Sequence, residues 1–332
     1  MKAIWVSAPG APEVLVERAL PIPEPGPGEV RVRIAAAAFN PVDAAWRRGE
    51  HGAPLPGVLG RDFSGVVDAL GEGVAGFRIG EAVLGYGGRA SNGSYAECLC
   101  LPAELLGRVP PGLDLARAAA LPVVGLTALR VRDAATGAKR CLVTGASGAV
   151  GRLVVQLAEA ECVATTSSDT GEAQLRELGV PPAKIVRVDR IPRADWAEAV
   201  GALGEIDGAV DLVGGELKKL CFEVVAPGSR VVSVVEEPAD FPVPVWDEVS
   251  SPLVTRSLGF QFVQLGAVLR HGPRSRWARY GADVEWLARE VGAGRVWNPV
   301  EIVGSLSAET AREAHRRIEK GTHRAKLVMT TT

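Results

Sequence analysis

Between Cys141 and Ala158 the chain reads CLVTGASGAVGRLVVQLA: a short apolar segment, glycines at every third position, and an amphipathic stretch that begins near Ala149. That order is a strand, a tight turn and a helix, and each glycine in such a unit answers a steric demand. Gly145 allows the sharp turn, Gly148 lets backbone N–H groups approach a pyrophosphate with no Cβ in the way, and Gly151 lets the helix pack close to the strand. The helix N-terminus, with its unpaired N–H groups and positive dipole end, then suits the phosphates. Glycines at this spacing also serve ordinary turns. Here strand and helix patterns flank them, which is the context a dinucleotide site requires. The run predicts a site for a nicotinamide dinucleotide.

The neighbouring sequence continues the pattern. Strand-like segments (CLVTG, CVATTSS, KIVRV, GAVDLVG, SRVVSVV) alternate with helix-like ones at Gly151–Ala160, Thr170–Leu178, Arg193–Leu203 and Glu216–Val225. Such alternation predicts a doubly wound parallel sheet covered by helices. Upstream, MKAIWVS, EVLVERAL, EVRVRIAAAAFN, FSGVVDAL, EAVLGYG and SYAECLCL are short apolar runs divided by glycine and proline, as in PIPEPGPG. They predict a mostly antiparallel β domain. LARAAALPVVGLTALRVRDAA reads as helix broken at Pro122. After Phe260 helix-like segments return, and the chain closes with a helix over Ala308–Lys320 and a strand over Lys326–Thr330. The expected fold class is α/β, with a nucleotide domain at 121–265 inserted between 1–120 and 266–332 and the active site in the cleft between the domains.

A chain of 332 residues is long enough for two cores. Its formal net charge of −2 argues against nucleic acid or an anionic membrane as partner. No segment is long and apolar enough to cross a bilayer, and MKAIWVSAPG lacks a secretory apolar region. Cys98, Cys100, Cys141, Cys162 and Cys221 form no framework of paired spacings, which reads as reduced thiols in the cytoplasm. Cys98 and Cys100 share a strand face with no second pair beside them, and His271, His315 and His323 are scattered. Packing or structural roles are the better reading of all five, and no metal is expected.

Eight motifs carry a resemblance that spans nearly the whole chain: FNPVDAAWRRG (39–49), PGVLGRDFSGVV (56–67), GSYAECLCLPAELLGRVP (93–110), AAALPVVGLTAL (118–129), VTGASGAVGRLVVQLA (143–158), VDLVGG (210–215), SRVVSVV (229–235) and GTHRAKLVM (321–329). Together they resemble the medium-chain dehydrogenase/reductase superfamily, and within it the zinc-independent quinone oxidoreductase and enoyl reductase branch. The resemblance implies a Rossmann sheet inserted in a GroES-like domain. Zinc-dependent members carry a cysteine at or beside the position of Asn40, and Gly-His-Glu where this chain has Gly60-Arg61-Asp62. They also carry a four-cysteine lobe, whereas Gly85 to Tyr95 holds no cysteine.

For the cofactor, the resemblance implies contacts from Thr127, Gly145, Ser147, Gly148, Ala149, Val150, Val213, Ser233 and Lys326. It puts Thr166 where NAD enzymes keep an acidic residue for the ribose hydroxyl, and Ser167 and Ser168 suit a 2′-phosphate. Asp169 lies past the strand end, where capping of the next helix is its expected job. The lysine usual in NADP-preferring relatives is replaced by Gly171. Arg176 either supplies positive charge or lies on a solvated helix face. NADPH is the expected cofactor.

Without a Lewis acid, the expected chemistry is hydride delivery to a quinone or an α,β-unsaturated carbonyl. Asn40, in the same turn as Asp43, either hydrogen-bonds substrate or cofactor or forms the Asn-Pro turn. Thr127 either approaches the nicotinamide or bonds its own helix. His51 stands where many relatives have tyrosine, and is either a proton donor or an exposed loop residue. Two alternatives stay open. One is a tailoring enoyl reductase on CoA- or carrier-bound acyl groups, which needs a basic patch such as Arg47, Arg48, Arg61 and Arg89. The other is a non-enzymatic NADPH-binding protein. The resemblance also implies a homodimer paired through an edge strand, with SRVVSVV or the stretch Phe241–Trp246 as the edge.

Overall fold

The alternation in EVRVRIAAAA builds the strand on which the first half of the molecule is organised. In the computed structural model, residues 1–52, 55–88, 90–236, 243–244 and 247–331 are described. They fall into two units, Met1–Leu126 with Leu265–Thr332, and Thr127–Gln264. The first unit opens with β1 (Lys2–Val6), β2 (Leu15–Ala19), β3 (Glu29–Ala38), β4 (Gly57–Val58), β5 (Asp62–Leu70), β6 (Ala82–Tyr86), β7 (Cys98–Pro102) and β8 (Leu106–Arg108). The second holds β9 (Arg140–Val143), β10 (Glu161–Thr166), β11 (Ile185–Arg187), β12 (Ile206–Asp211), β13 (Val225–Ser233) and β14 (Gly259–Phe262). The chain then returns to the first unit with β15 (Val300–Ser305) and β16 (Lys326–Thr330).

In the first unit the sheet order is β15-β16-β3-β5-β6-β8, with β7 also paired to β3. Val30, Val32 and Ile34 point into the core from alternate positions of β3, as period-two patterning requires. The last strand returns to this centre: Val328, Met329 and Thr330 of β16 lie opposite Ala38, Ala37 and Ala36 of β3. The Phe39 N–H donates to Leu327 O at 3.0 Å. That pairing brings Lys326, at the start of β16, to the segment that follows β3.

The second unit is a parallel sheet in the order β11-β10-β9-β12-β13-β14, with the strand of the glycine run at its centre. Leu142, Val163, Ala209 and Val231 are fully buried in its core, where each large aliphatic side chain contributes about 1.5–3 kcal/mol. Helices cover it at Ala149–Leu157, Asp169–Glu177, Trp196–Gly201 and Gly215–Val224. Pro122 begins a second helix, Pro122–Ala134, after the short one at Leu115–Ala119.

Two expectations are corrected here. SRVVSVV is not an edge: β13 pairs with β12 on one side and β14 on the other. GFQF, too short and too polar in alternation to stand out, takes the edge as β14. The other edge expectation, Phe241–Trp246, lies outside the described residues apart from Val243 and Pro244. The helix expected over Arg193–Leu203 is a single 3-10 turn, Arg193–Asp195, running into a helix of six residues, Trp196–Gly201. Among the described residues, no helix is long and apolar enough to cross a membrane.

Candidate functional site

In the second unit the three glycines differ in what forces them. Gly145 turns with φ +61°, a conformation that favours glycine. A Cβ on Gly151 would lie 2.4 Å from Gly145 O and 2.6 Å from Ala146 Cα, so the helix could not sit where it does. Gly148 is another matter. It precedes the helix Ala149–Leu157 with φ −69°, and its Cβ would meet only Gly145 O, at 3.2 Å. The fold leaves this side open, beside the first-turn N–H groups of Ala149 and Val150, which have no acceptor within a helix.

At the end of β10, Ser147 Oγ and Thr166 Oγ1 are hydrogen-bonded at 2.9 Å. A Cβ on Gly171 would lie 2.2 Å from that Thr166 oxygen and 2.7 Å from Ser147 Oγ, which explains sterically why no lysine stands there. Ser168, extended at φ −153°, caps the helix Asp169–Glu177 by accepting from Gly171 N at 3.0 Å. The capping role expected of Asp169 therefore belongs to Ser168, because Asp169 is already helical. Ser167 is exposed beside it. Asp169 bonds Arg187 at 2.7 Å and also Arg190. Arg187 further pairs with Glu172 and Asp189, and Arg176 with Glu172 at 2.5 Å. Arg187 and Arg190 were not singled out from the sequence. The signal was RVDR, which begins at Arg187, the last residue of β11 and in register with Thr166.

Asp211, fully buried at the end of β12, ties three strand ends together. It accepts from Ser233 Oγ (2.8 Å), Thr144 Oγ1 (3.1 Å), Val213 N (3.1 Å) and Gly214 N (2.9 Å). Lys218 Nζ is 3.8 Å away and donates to Val235 O at 2.6 Å. Ser233 is buried with its hydroxyl on Asp211, so it supports the Val213 turn from beneath. Val213 is exposed and stands over the glycine turn, since a Cβ on Gly145 would be 2.6 Å from its Cγ2. Thr127 lies half-buried in the helix Pro122–Ala134.

In the first unit, Asn40 follows β3 and heads the helix Pro41–Arg47, with its N–H donating to Asp43 Oδ2 at 2.9 Å. Its side chain is buried. Asn40 Nδ2 donates to Asp62 Oδ2 at 2.9 Å, and Oδ1 accepts from Lys326 Nζ. Lys326 Nζ is also 3.4 Å from Asp62 Oδ2, while Asp62 Oδ1 accepts from Val123 N at 2.7 Å. Lys326, expected at the cofactor, thus has its ammonium on Asn40 and Asp62. Burial raises the Asp62 carboxyl against the pull of Lys326, and burial lowers Lys326 against the pull of Asp62. Asp62 was present in the LGRD motif but was not chosen as a site residue.

Below this lies a second buried chain. Tyr95 Oη donates to Asp43 Oδ2 at 3.2 Å and lies 3.5 Å from Nε2 of His315, which the helix Ala308–Glu319 supplies. Burial pushes Asp43 up to about 6, with Arg61 opposing. Burial, aided by Arg47, pushes His315 down to about 3. His315 therefore stays neutral in the fold while the unfolded chain takes a proton below its ordinary value of 6.5, so its contribution to stability is present above that value and is lost as pH falls toward 3. Asp43 has the opposite sign between its ordinary value of 3.8 and about 6. Relative to wild type, His315→Phe should gain about 1.4 kcal/mol per pH unit as acidity increases below that point. Urea unfolding at several pH values checks this, and a pH-independent difference would refute it.

His51 sits in the 3-10 turn Glu50–Gly52 with φ +56°, exposed, its Nε2 4.0 Å from a Glu50 carboxylate oxygen. The expected basic patch does not form from the described arginines. Arg47 is buried against the helix Ala308–Glu319, bonded to Glu319 at 2.5 Å and to Gly10 O at 3.0 Å. Arg48 pairs with Glu50 and Glu319, and Arg61 stacks on Trp46. Arg89 lies outside the described residues.

Residues 26–116 match the alcohol dehydrogenase GroES-like domain, and residues 187–329 match the zinc-binding dehydrogenase family. The chain is a medium-chain dehydrogenase/reductase. Its antiparallel sheet is the GroES-like one and its parallel sheet the Rossmann one, as the sequence leads one to expect. This dehydrogenase/reductase is 35% identical over 252 residues to the NADPH-dependent alkenal/one oxidoreductase of Arabidopsis thaliana, a match covering 70% of this chain and 65%, less than two thirds, of that relative. It is 28% identical over 299 residues to a quinone oxidoreductase of Lama guanicoe, covering 84% of this chain and 88% of that one. The solved quinone oxidoreductase of Coxiella burnetii superposes with a TM-score of 0.81 at 26% identity, covering 100% of this chain and 99% of the other.

Proposed function

We propose that the protein is an NADPH-dependent reductase that transfers hydride to a quinone or an α,β-unsaturated carbonyl without a metal ion. The observation that carries this reading is the Lys326–Asn40–Asp62 cluster. A zinc site needs thiolate, imidazole or carboxylate donors in a tetrahedral set. The matching positions here offer an amide, a guanidinium and one carboxylate, and that carboxylate already bonds an ammonium. Lys326 stands against Asp62 and Arg61 against Asp43, so each carboxylate already faces a cation and a further cation is repelled; zinc does not fit this donor set. Among the described residues, no group of three or more His, Cys, Asp or Glu is placed to hold a metal. Oxidation of simple alcohols then lacks its Lewis acid, whereas quinones and enones are already activated acceptors.

The open face at Gly148, with Ser147, Ala149 and Val150, fits a pyrophosphate. Val213 and Thr127 suit the nicotinamide end, with Ser233 supporting from below, and Ser167 with Arg187 and Arg190 suits the 2′-phosphate. When bound, the reduced cofactor supplies the hydride. The protein's part is to orient it, exclude water and hold the acceptor. In this reading His51 is the proton donor to an enone, and the enzyme is a cytoplasmic homodimer paired through the β14 edge.

The test is oxidation of NADPH and NADH with cyclohex-2-enone, 1,4-benzoquinone and crotonyl-CoA, before and after dialysis against a chelator. Expected is reduction of the first two, unchanged by the chelator, with NADPH favoured by about 1–3 kcal/mol from charge-assisted hydrogen bonds to its phosphate. A preference for the thioester, or tight NADPH binding with no acceptor reduced, would overturn the reading.

A further inference from the structure

We infer that Arg61 is the residue that holds the substrate's carbonyl oxygen while it takes on negative charge. The proposal rests on the reductase reading above and adds a residue to it. Arg61 stands in the turn before β5, one residue ahead of Asp62, and its own carbonyl accepts from Gly87 N at 2.9 Å. Its side chain is only 12% exposed. The guanidinium lies over the buried Trp46 ring at 3.6 Å, and its Nε is 3.9 Å from Asp43 Oδ1. Among the described residues it donates no hydrogen bond, and Nε is buried without an acceptor.

The other buried cations of this unit differ. Arg47 is bonded to Glu319 and Gly10 O, and Lys326 to Asn40 and Asp62. A guanidinium carries five N–H donors in a fixed fork. Burying a charge without satisfying its hydrogen bonds is costly. The protein has nevertheless fixed this one in orientation, by stacking on Trp46 and by the anchored Asp62 beside it, while among the described residues its fork has no hydrogen-bond acceptor. Such an arrangement is pre-organised for an external oxygen.

The chemistry balances without a metal. Hydride addition forms a C–H bond at the β-carbon of an enone. The C=C π pair moves to the Cα–C bond and the C=O π pair moves to oxygen, giving an enolate. Arg61 N–H groups donate to that oxygen, and the α-carbon then takes a proton. In a quinone, hydride added to one carbonyl oxygen forms an O–H bond, the ring π pairs shift to make the ring aromatic, and the opposite oxygen is left as a phenolate. The group developing charge is in both cases an oxyanion conjugated to a π system, which a planar guanidinium matches.

The test compares wild type with Arg61→Gln and Arg61→Lys by two readouts. The first is kinetics with cyclohex-2-enone, beside NADPH affinity by calorimetry. Arg61→Gln should lower kcat by about 100-fold, the usual scale for a lost oxyanion donor, with NADPH affinity unchanged and Arg61→Lys recovering part. The second is spectroscopic and needs no turnover. 4-Nitrophenol bound to the wild type should lose its proton at lower pH than when bound to Arg61→Gln, seen in its phenolate absorbance. An enone kcat within about threefold of wild type, a lost NADPH affinity, or a 4-nitrophenol titration identical in the two proteins overturns the assignment. If the wild type reduces neither enone nor quinone but still shifts 4-nitrophenol through Arg61, the oxyanion site stands and the reductase reading falls.

Discussion

Gly148→Val is expected to yield a folded protein that no longer holds the dinucleotide. The backbone at this position is extended, so a branched residue adopts it without strain, and its Cβ would press only on Gly145 O at 3.2 Å, a contact the turn can relieve by a small shift. Replacing glycine at a helix N-cap with an apolar residue costs about 1 kcal/mol. The side chain would, however, occupy the space beside the Ala149 and Val150 N–H groups, where a pyrophosphate must approach. Calorimetry should therefore show NADPH affinity lowered by more than about 100-fold in a protein with wild-type circular dichroism, since the loss removes several charge-assisted hydrogen bonds together. Gly151→Ala is the control with the opposite outcome. Its methyl would lie 2.4 Å and 2.6 Å from backbone atoms that cannot swing aside, and overpacking of this kind costs on the order of 3 kcal/mol. An unchanged NADPH affinity in folded Gly148→Val would remove the cofactor site from this turn.

Lys326→Met should produce a larger loss of stability than any surface change. It takes the ammonium from between Asn40 and Asp62 and leaves a fully buried carboxylate facing an amide. Breaking a buried pair by removing one partner costs about 3–5 kcal/mol. The pH dependence identifies the cause. Burial already raises the Asp62 carboxyl, and without Lys326 only the hydrogen bonds from Asn40 and Val123 oppose it. The folded variant then binds a proton that the unfolded chain has released, so its stability falls as pH rises through the folded value. The deficit should be smaller near about pH 5 than near about pH 8. Pairing the change with Asp62→Asn should recover part of it. A deficit below about 1 kcal/mol, or one equal at both pH values, would mean that the ion pair is not what holds these strands.

The sequence made the centre of each sheet legible and left the margins obscure. The strand β3 and the glycine run have strong periodicity, and their residues pack where the pattern puts them. β4, β8, β14 and β15 are short or polar, and exist because a neighbouring strand offers hydrogen bonds rather than through any signal of their own. The site divides similarly. Asn40 and the glycines stood out because local geometry constrains them. Asp62 and Lys326 stand 22 and 286 positions from Asn40, and the antiparallel pairings of β5 and β16 with β3 bring them to it. Ser168 and Asp169 are chemically equal candidates for a cap. The choice between them is a backbone angle that composition does not encode. Arg187 carries no signal within the glycine motif, because it lies outside that motif and reaches Thr166 from the next strand of the sheet.

The return of β16 to β3 also sets an order of events during synthesis. The parallel unit is one continuous stretch, Thr127–Gln264, and can close on itself as soon as that stretch has left the ribosome. The earlier unit cannot. While the polypeptide grows, Asn40 and Asp62 are already made, but their ammonium partner is still about 200 residues short of being translated when the first unit's opening segment ends at Leu126. The half of the protein that is made first is thus the half that is finished last, and a nascent chain released before Lys326 would carry a complete parallel unit while Asp62 still lacked its ammonium partner.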